Sequence, residues 1–396
     1  LKITNVKTIV TCPGRNYVVV KIETDEGLSG VGDATLNGRE LAVAEILKEH
    51  IAPLLHGKDP DQIEDIWQHI FRGSYWRGGP VLMTALAGID MALWDIKAKK
   101  ANLPLYSLLG GKSRDKVLCY THVSGRDFAE VKENALKYME QGYKALRFQV
   151  GIPGCKGTYG IENIDSNNLP FVEEWEPRPY LQTIPKLFEY LRAELGTDLE
   201  MLHDVHERLT PVEAKILAKE LEPYQLFFLE DPLRPEHKES FRIIRQGAAI
   251  PIAMGELFNT KWDCLTLFEE QLIDYIRCDL SHIGGLTEAK KIANWAEVYH
   301  VKTAWHGPPD ISPIAHLANV HLDLAVTNFG IQEQCAFAPE VRDVFSAQPL
   351  FNDGYLSVAE VPGLGCEVDE AAAAKYPYRR SYLPVSRRKD GTVQDW

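Results

Sequence analysis

Apolar and polar residues alternate through residues 1–35, as in YVVVKIETDEG, and a period of two marks strands with one buried face. With Gly27, Gly30 and Gly32 read as turns, this stretch predicts an antiparallel hairpin or meander. The period then lengthens. Residues 39–109 carry three helical patterns, RELAVAEILKEHIAPLL, DQIEDIWQHIFRG and VLMTALAGIDMALWDIKAKKANLPLYSLLG, and Gly110-Gly111 closes the run. Strands followed by segregated helices make an α+β unit. From about residue 117 short apolar strands alternate with helical stretches such as DFAEVKENALKYMEQG. The strand candidates are 117–125, 144–151, 200–207, 227–232, 250–256, 275–282, 302–307 and 329–334. Eight strands with helices between them, over about 220 residues, match a parallel (β/α) barrel. An open doubly wound sheet is the competing arrangement. The barrel is preferred because polar residues recur at the C-terminal ends of nearly all the strands, where barrels build their sites. The chain is thus divided into an α+β domain (1–113), a barrel (114–360) and a C-terminal extension (361–396).

Composition narrows the function. The chain has 396 residues, 45% hydrophobic and 25% charged, the balance of a soluble globular protein. A net charge of −13 argues against nucleic acid or an anionic membrane as partner. No apolar run reaches the roughly 18–20 residues of a membrane span, and LKITNVKTIV reads as a strand rather than a signal peptide. The seven cysteines are scattered without a C-x-x-C pair, which predicts buried thiols in a reducing cytoplasm. GLSGVG has the wrong glycine order for a dinucleotide fingerprint, and no P-loop occurs. Residues 152–177 form an unusually long polar connection, of the kind that is often functional.

Three acids carry the chemistry. Asp204 in LHDVHE, Glu230 in FFLEDP and Glu256 in AMGELF end three consecutive strand candidates, 26 residues apart each time. In a barrel they converge at one mouth, where they repel one another unless a cation lies between them. Oxygen ligands without cysteine favour Mg²⁺ over Zn²⁺. Strand alternation places His206 on the face of Asp204 and turns His203 away into packing. It also pairs Arg147 with Gln149 and Arg277 with Asp279, while His122, His306 and Glu333 end the first, seventh and eighth strands. A divalent cation with open positions could hold a substrate carboxylate and stabilise the charge formed when the α-carbon loses its proton. His206 and His306, from opposite sides, suit proton removal and leaving-group protonation.

These residues resemble the enolase superfamily, and within it the mannonate dehydratase family. The resemblance runs essentially end to end, through YKALRFQVG, Tyr159, LHDVHERL, FFLEDP, MGELFN, RCDLSHIGG, TAWHGPPDISPI and Trp396. It implies a (β/α)₇β barrel capped by the N-terminal α+β domain, with the extension returning to the cap and active site. It implies Mg²⁺ on Asp204, Glu230 and Glu256, and dehydration of D-mannonate to 2-keto-3-deoxy-D-gluconate. Tyr159, hydrogen-bonded to Arg147, would be the base at C2, since a nearby guanidinium favours the phenolate. His206 would protonate the departing 3-hydroxyl. Asn37, His122, Arg277, His306, Asp310, Glu333 and Trp396 would hold the substrate. A tetramer or octamer is implied as well.

Arg147-x-Gln149 occupies the positions where other subgroups carry a lysine base. Pro308, two residues after His306, resembles the marker of weak or gluconate-accepting enzymes. Asp279 with His306 is an alternative base, as in relatives that use that pair. A binding or regulatory protein with vestigial turnover is the reading from another class; a racemase is a third.

Overall fold

The computed structural model describes residues 1–155 and 172–395. The N-terminal unit is an antiparallel sheet of order β1 (Ile3–Thr11), β2 (Tyr17–Thr24), β3 (Ser29–Asp33). Alternation along β2 serves two cores. Val18, Val20 and Ile22 face the core of the unit itself, while Tyr17 and Val19 face the core shared with the barrel. Three helices cover the sheet: α1 (Glu40–Ile46), which continues through a π turn to Leu55, α2 (Ile63–Gly73) and α3 (Pro80–Ala101). Gly27 lies in the β2–β3 turn with φ +81. Gly30 and Gly32, expected as turns, instead lie inside β3. A Cβ on Gly32 would stand 1.9 Å from the Gly88 carbonyl oxygen, so the glycine permits direct backbone contact between strand and α3.

All eight expected barrel strands are present, each shorter than its sequence pattern: β4 (Val117–Val123), β5 (Ala145–Phe148), β6 (Glu200–Asp204), β7 (Phe228–Glu230), β8 (Ile252–Met254), β9 (Tyr275–Ile276), β10 (Lys302–Thr303) and β11 (Gln332–Glu333). Ladder pairing stops before the sequence patterns end, so His206, Glu256, Asp279 and His306 lie just beyond their strands. Pairing is parallel from β4 to β10 in order; a bridge from Thr303 to Phe329 and the β11–β4 ladder close the ring. The competing open sheet is thereby excluded. Between the strands run α4 (Phe128–Glu140), α5 (Pro177–Leu195), α6 (Pro211–Leu221), α7 (Phe241–Arg245), α8 (Leu265–Glu269), α9 (Leu286–Val298) and α10 (Pro313–Ala325). This is the (β/α)₇β order.

After β11 the hairpin of Leu350–Asn352 and Tyr355–Ser357 adds antiparallel to β4. The C-terminal strand Val385–Arg387 pairs in parallel with Val172–Glu174, so the long connection after β5 ends in a strand rather than a plain loop. All seven cysteines are free thiols, and no described helix is long and apolar enough to cross a membrane.

Candidate active site

The barrel interior is layered. Tyr120, Ala145, Leu202, Phe228, Ala253, Tyr275, Ala304 and Ile331, one from each strand or its edge, form an apolar floor. Two positions further on, and therefore on the same face, stand His122, Arg147, Asp204, Glu230, Gly255, Arg277, His306 and Glu333. Only the β8 position is without a polar side chain. There Gly255 has φ +137, a conformation that side chains disfavour, and the turn it makes delivers Glu256 to the mouth.

Two buried arginines tie the acids together. Arg147 Nη1 lies 2.8 Å from Glu230 Oε1, 3.2 Å from Asp204 Oδ2 and 3.6 Å from Glu333 Oε1. Its Nη2 lies 3.2 Å from His122 Nδ1, whose other nitrogen meets Glu333 Oε1 at 2.5 Å. Arg277 Nη2 donates to Glu333 Oε2 at 3.0 Å and lies 2.6 Å from Glu230 Oε1. Burial opposes the charge on Asp204 and Glu333, yet Arg147, His206 and Arg277 hold the Asp204 carboxyl below the ordinary range, and Arg277, His306 and His122 hold that of Glu333 below it. Burial wins at Glu230, whose pKa is pushed well up despite the same arginines.

Glu230, Asp231 and Glu256 offer carboxylate oxygens within 4.8 Å of one another. Asp204 stands beside this group, joined to Glu230 through Arg147. Glu230 Oε2, Asp231 Oδ2 and Glu256 Oε2 are buried and accept no hydrogen bond among the described residues. Buried anionic oxygens without donors are costly. A hard cation such as Mg²⁺ fits this donor set, being oxygen-rich and free of sulfur. Asp231 is the acid that sequence reading passed over. Alternation sends it to the outer face, but its φ of +39 swings it back. The one sequence signal was its place directly after Glu230.

His206 reaches the site for a different reason from the expected one. Strand β6 ends at Asp204, so alternation does not extend to residue 206. His206 and Glu207 both adopt left-handed backbone, with φ +58 and +59, and the His206 N–H donates to Asp204 Oδ1 at 2.8 Å. Strained backbone of this kind gathers at functional sites. His206 Nε2 lies 3.8 Å from Glu256 Oε1, and His306 Nε2 lies 3.6 Å from Glu256 Oε2. The two imidazoles thus face the two oxygens of one carboxylate. His306 Nδ1 meets Asp279 Oδ2 at 2.8 Å. Burial opposes its charge, but Glu256, Glu333 and Asp279 push its pKa to about 9. His203, as alternation predicts, packs away from the mouth against Tyr180 and the Phe148 carbonyl.

Above these groups lies a cavity of about 360 Å³, lined by His206, Glu256, Asp279, His306, Pro308 and Asp310 among others. The N-terminal unit forms its roof. Asn37 Nδ2 donates to Asp310 Oδ2 at 2.6 Å, and Arg15 pairs with the same carboxylate. Leu383 and Asp395 of the C-terminal segment also line it, and Asp395 pairs with Arg234 at 2.5 Å. Tyr159 and Trp396 lie outside the described residues.

Comparison with known proteins agrees with this architecture. Residues 4–110 match the mandelate racemase / muconate lactonizing enzyme N-terminal domain, and residues 130–372 match the enolase C-terminal domain-like family. The chain is 52% identical to a D-mannonate dehydratase from Caulobacter sp. strain K31, over 100% of both chains. It is 51% identical to a D-galactonate dehydratase family member from Cellvibrio japonicus, again over 100% of both. Among solved structures, an enolase from Pantoea ananatis with bound D-gluconate and Mg is similar with a TM-score of 0.94, 48% identity and 100% coverage of both chains. Fold, layered site and full-length similarity together make this chain a member of the enolase superfamily, in its mandelate racemase / muconate lactonizing enzyme family.

Proposed function

We propose that the chain is a Mg²⁺-dependent hydro-lyase that converts D-mannonate, and D-gluconate beside it, to 2-keto-3-deoxy-D-gluconate and water. The observation that carries this reading is the cluster of carboxylates with unsatisfied buried oxygens, faced by His206 and His306 across Glu256. Held by Asp204, Glu230 and Glu256, with Asp231 adjoining, Mg²⁺ supplies Lewis-acid stabilisation of the negative charge that grows on the substrate carboxylate. Tyr159 removes the C2 proton, its phenolate favoured by the Arg147 guanidinium. His206 gives a proton to the departing 3-hydroxyl, which leaves as water. The resulting enol then tautomerises to the ketone. Arg277, His122 and Glu333 orient the reacting end of the sugar, and Asn37 and Asp310 meet its polyol. Asp279 with His306 is the second candidate base, favoured by their 2.8 Å contact. Pro308 and the gluconate-bound relative support D-gluconate as a co-substrate.

The test is a screen of six-carbon acid sugars with Mg²⁺, reading the 2-keto product. D-Mannonate, D-gluconate or both should turn over, and chelator should abolish it. Glu230→Gln keeps the shape of the side chain and removes a charge from the acidic cluster; turnover should be lost with the fold intact. Failure of every acid sugar, or activity indifferent to chelator, overturns the proposal.

A further inference from the structure

Asp33 lies at the end of β3, in the N-terminal unit, and its side chain is fully buried. Four donors converge on its carboxylate. Oδ1 accepts from Thr35 Oγ1 at 2.7 Å and from Thr35 N at 3.3 Å. Oδ2 accepts from Ser281 Oγ and from Ser312 N, each at 3.4 Å. The last two donors belong to different barrel loops, those after β9 and β10, and both loops lead to one imidazole. In the first, Ser281 N donates to Asp279 Oδ1 at 2.7 Å, and Asp279 Oδ2 holds His306 Nδ1 at 2.8 Å. In the second, Ser312 precedes α10, and Asn319 of that helix donates to the His306 carbonyl at 3.1 Å.

We infer that Asp33 is a positioning residue, which fixes His306 by its ring through Ser281 and Asp279 and by its backbone through Ser312 and Asn319. A residue of the capping unit thus sets the geometry of a barrel side chain that it does not touch. Docking of the capping unit and the geometry of His306 are thereby coupled through one side chain. Both arms end on one oxygen, Oδ2, so an asparagine could keep them by turning its N–H₂ to the Thr35 hydroxyl, which rotates to accept; only removal of the carboxyl, as in alanine, cuts both. The kinetic consequence rests on the dehydratase reading, in which His306 meets the substrate; the geometric one does not.

The experiment uses the full-length protein, Asp33→Ala and Ser281→Ala, the second cutting only the ring arm. The His306 Nδ1–H resonance, assigned by its loss in His306→Asn, is measured without added Mg²⁺. Steady-state rates are measured with Mg²⁺ and whichever acid sugar the wild type dehydrates. The resonance should shift in both variants. The kcat should fall about 10- to 100-fold in Asp33→Ala, the scale of a misplaced reacting group, with KM changed much less, and by a smaller factor in Ser281→Ala. If the resonance stays where it is, or the loss lies wholly in KM with a lowered Tm, Asp33 only docks the cap and the inference is wrong. Should Asp33→Ala not fold, Ser281→Ala decides on the same resonance. If the wild type dehydrates no acid sugar, the dehydratase reading falls while the resonance still judges the positioning role.

Discussion

Replacing Asp90 by asparagine should make the protein progressively more stable than the wild type as pH rises. Asp90 sits in α3 at the seam with the barrel and is 1% exposed. Its Oδ2 accepts from Thr287 N at 2.9 Å and its Oδ1 from Thr287 Oγ1 at 2.5 Å. Burial, only partly offset by these bonds and by Lys291, pushes its pKa from the ordinary 3.8 to about 7. A carboxyl raised on folding favours the native state fully below its unfolded value, and that contribution is lost as pH climbs through the folded value. The whole shift, about 3 units, is worth about 4 kcal/mol at roughly 1.4 kcal/mol per unit. Between pH 5.5 and pH 8.5 the protein crosses the upper half of this window, so about 2 kcal/mol is lost there. Asparagine does not titrate and can keep both contacts, since the Thr287 hydroxyl rotates to accept. For a chain of this length about 2 kcal/mol is ~2–3 °C in Tm. Calorimetry of both proteins, at one protein concentration and both pH values, isolates this site because all other titrating groups are shared. A Tm difference between the two that does not change from pH 5.5 to pH 8.5 would refute the assignment of a raised carboxyl at the seam.

Two substitutions separate the roles within the site. His206→Asn should abolish elimination while leaving slow exchange of the C2 proton with solvent deuterium, detected by NMR of recovered substrate; normal dehydration would remove His206 as leaving-group acid. Tyr159→Phe should lower kcat by about 10²–10⁴ with little change in KM. If that variant keeps C2 exchange and His306→Asn loses it, the Asp279–His306 pair is the base.

The order of elements was legible because each rests on a local rule. Period-two and period-3.6 patterns reflect which face of each segment leaves water, and that holds before any segment has met its partner. The eight strands, the N-terminal sheet with its helices, and the acids Asp204 and Glu230 at the ends of β6 and β7 followed from this, whereas Glu256 reaches the mouth only through the turn at Gly255. The layer of polar residues two positions above the apolar floor is the same alternation carried to its end. What the tertiary structure alone decided begins where alternation stops. His206 and Asp231 turn inward on left-handed backbone, and no pattern of side chains announces that. Gly30 and Gly32 read as turn formers, but packing of α3 on β3 made them contact points, since a close approach is a property of two segments and not of one. Asp33 could be recognised as more than the end of a strand only when the loops after β9 and β10 were seen to close on it from more than two hundred residues away.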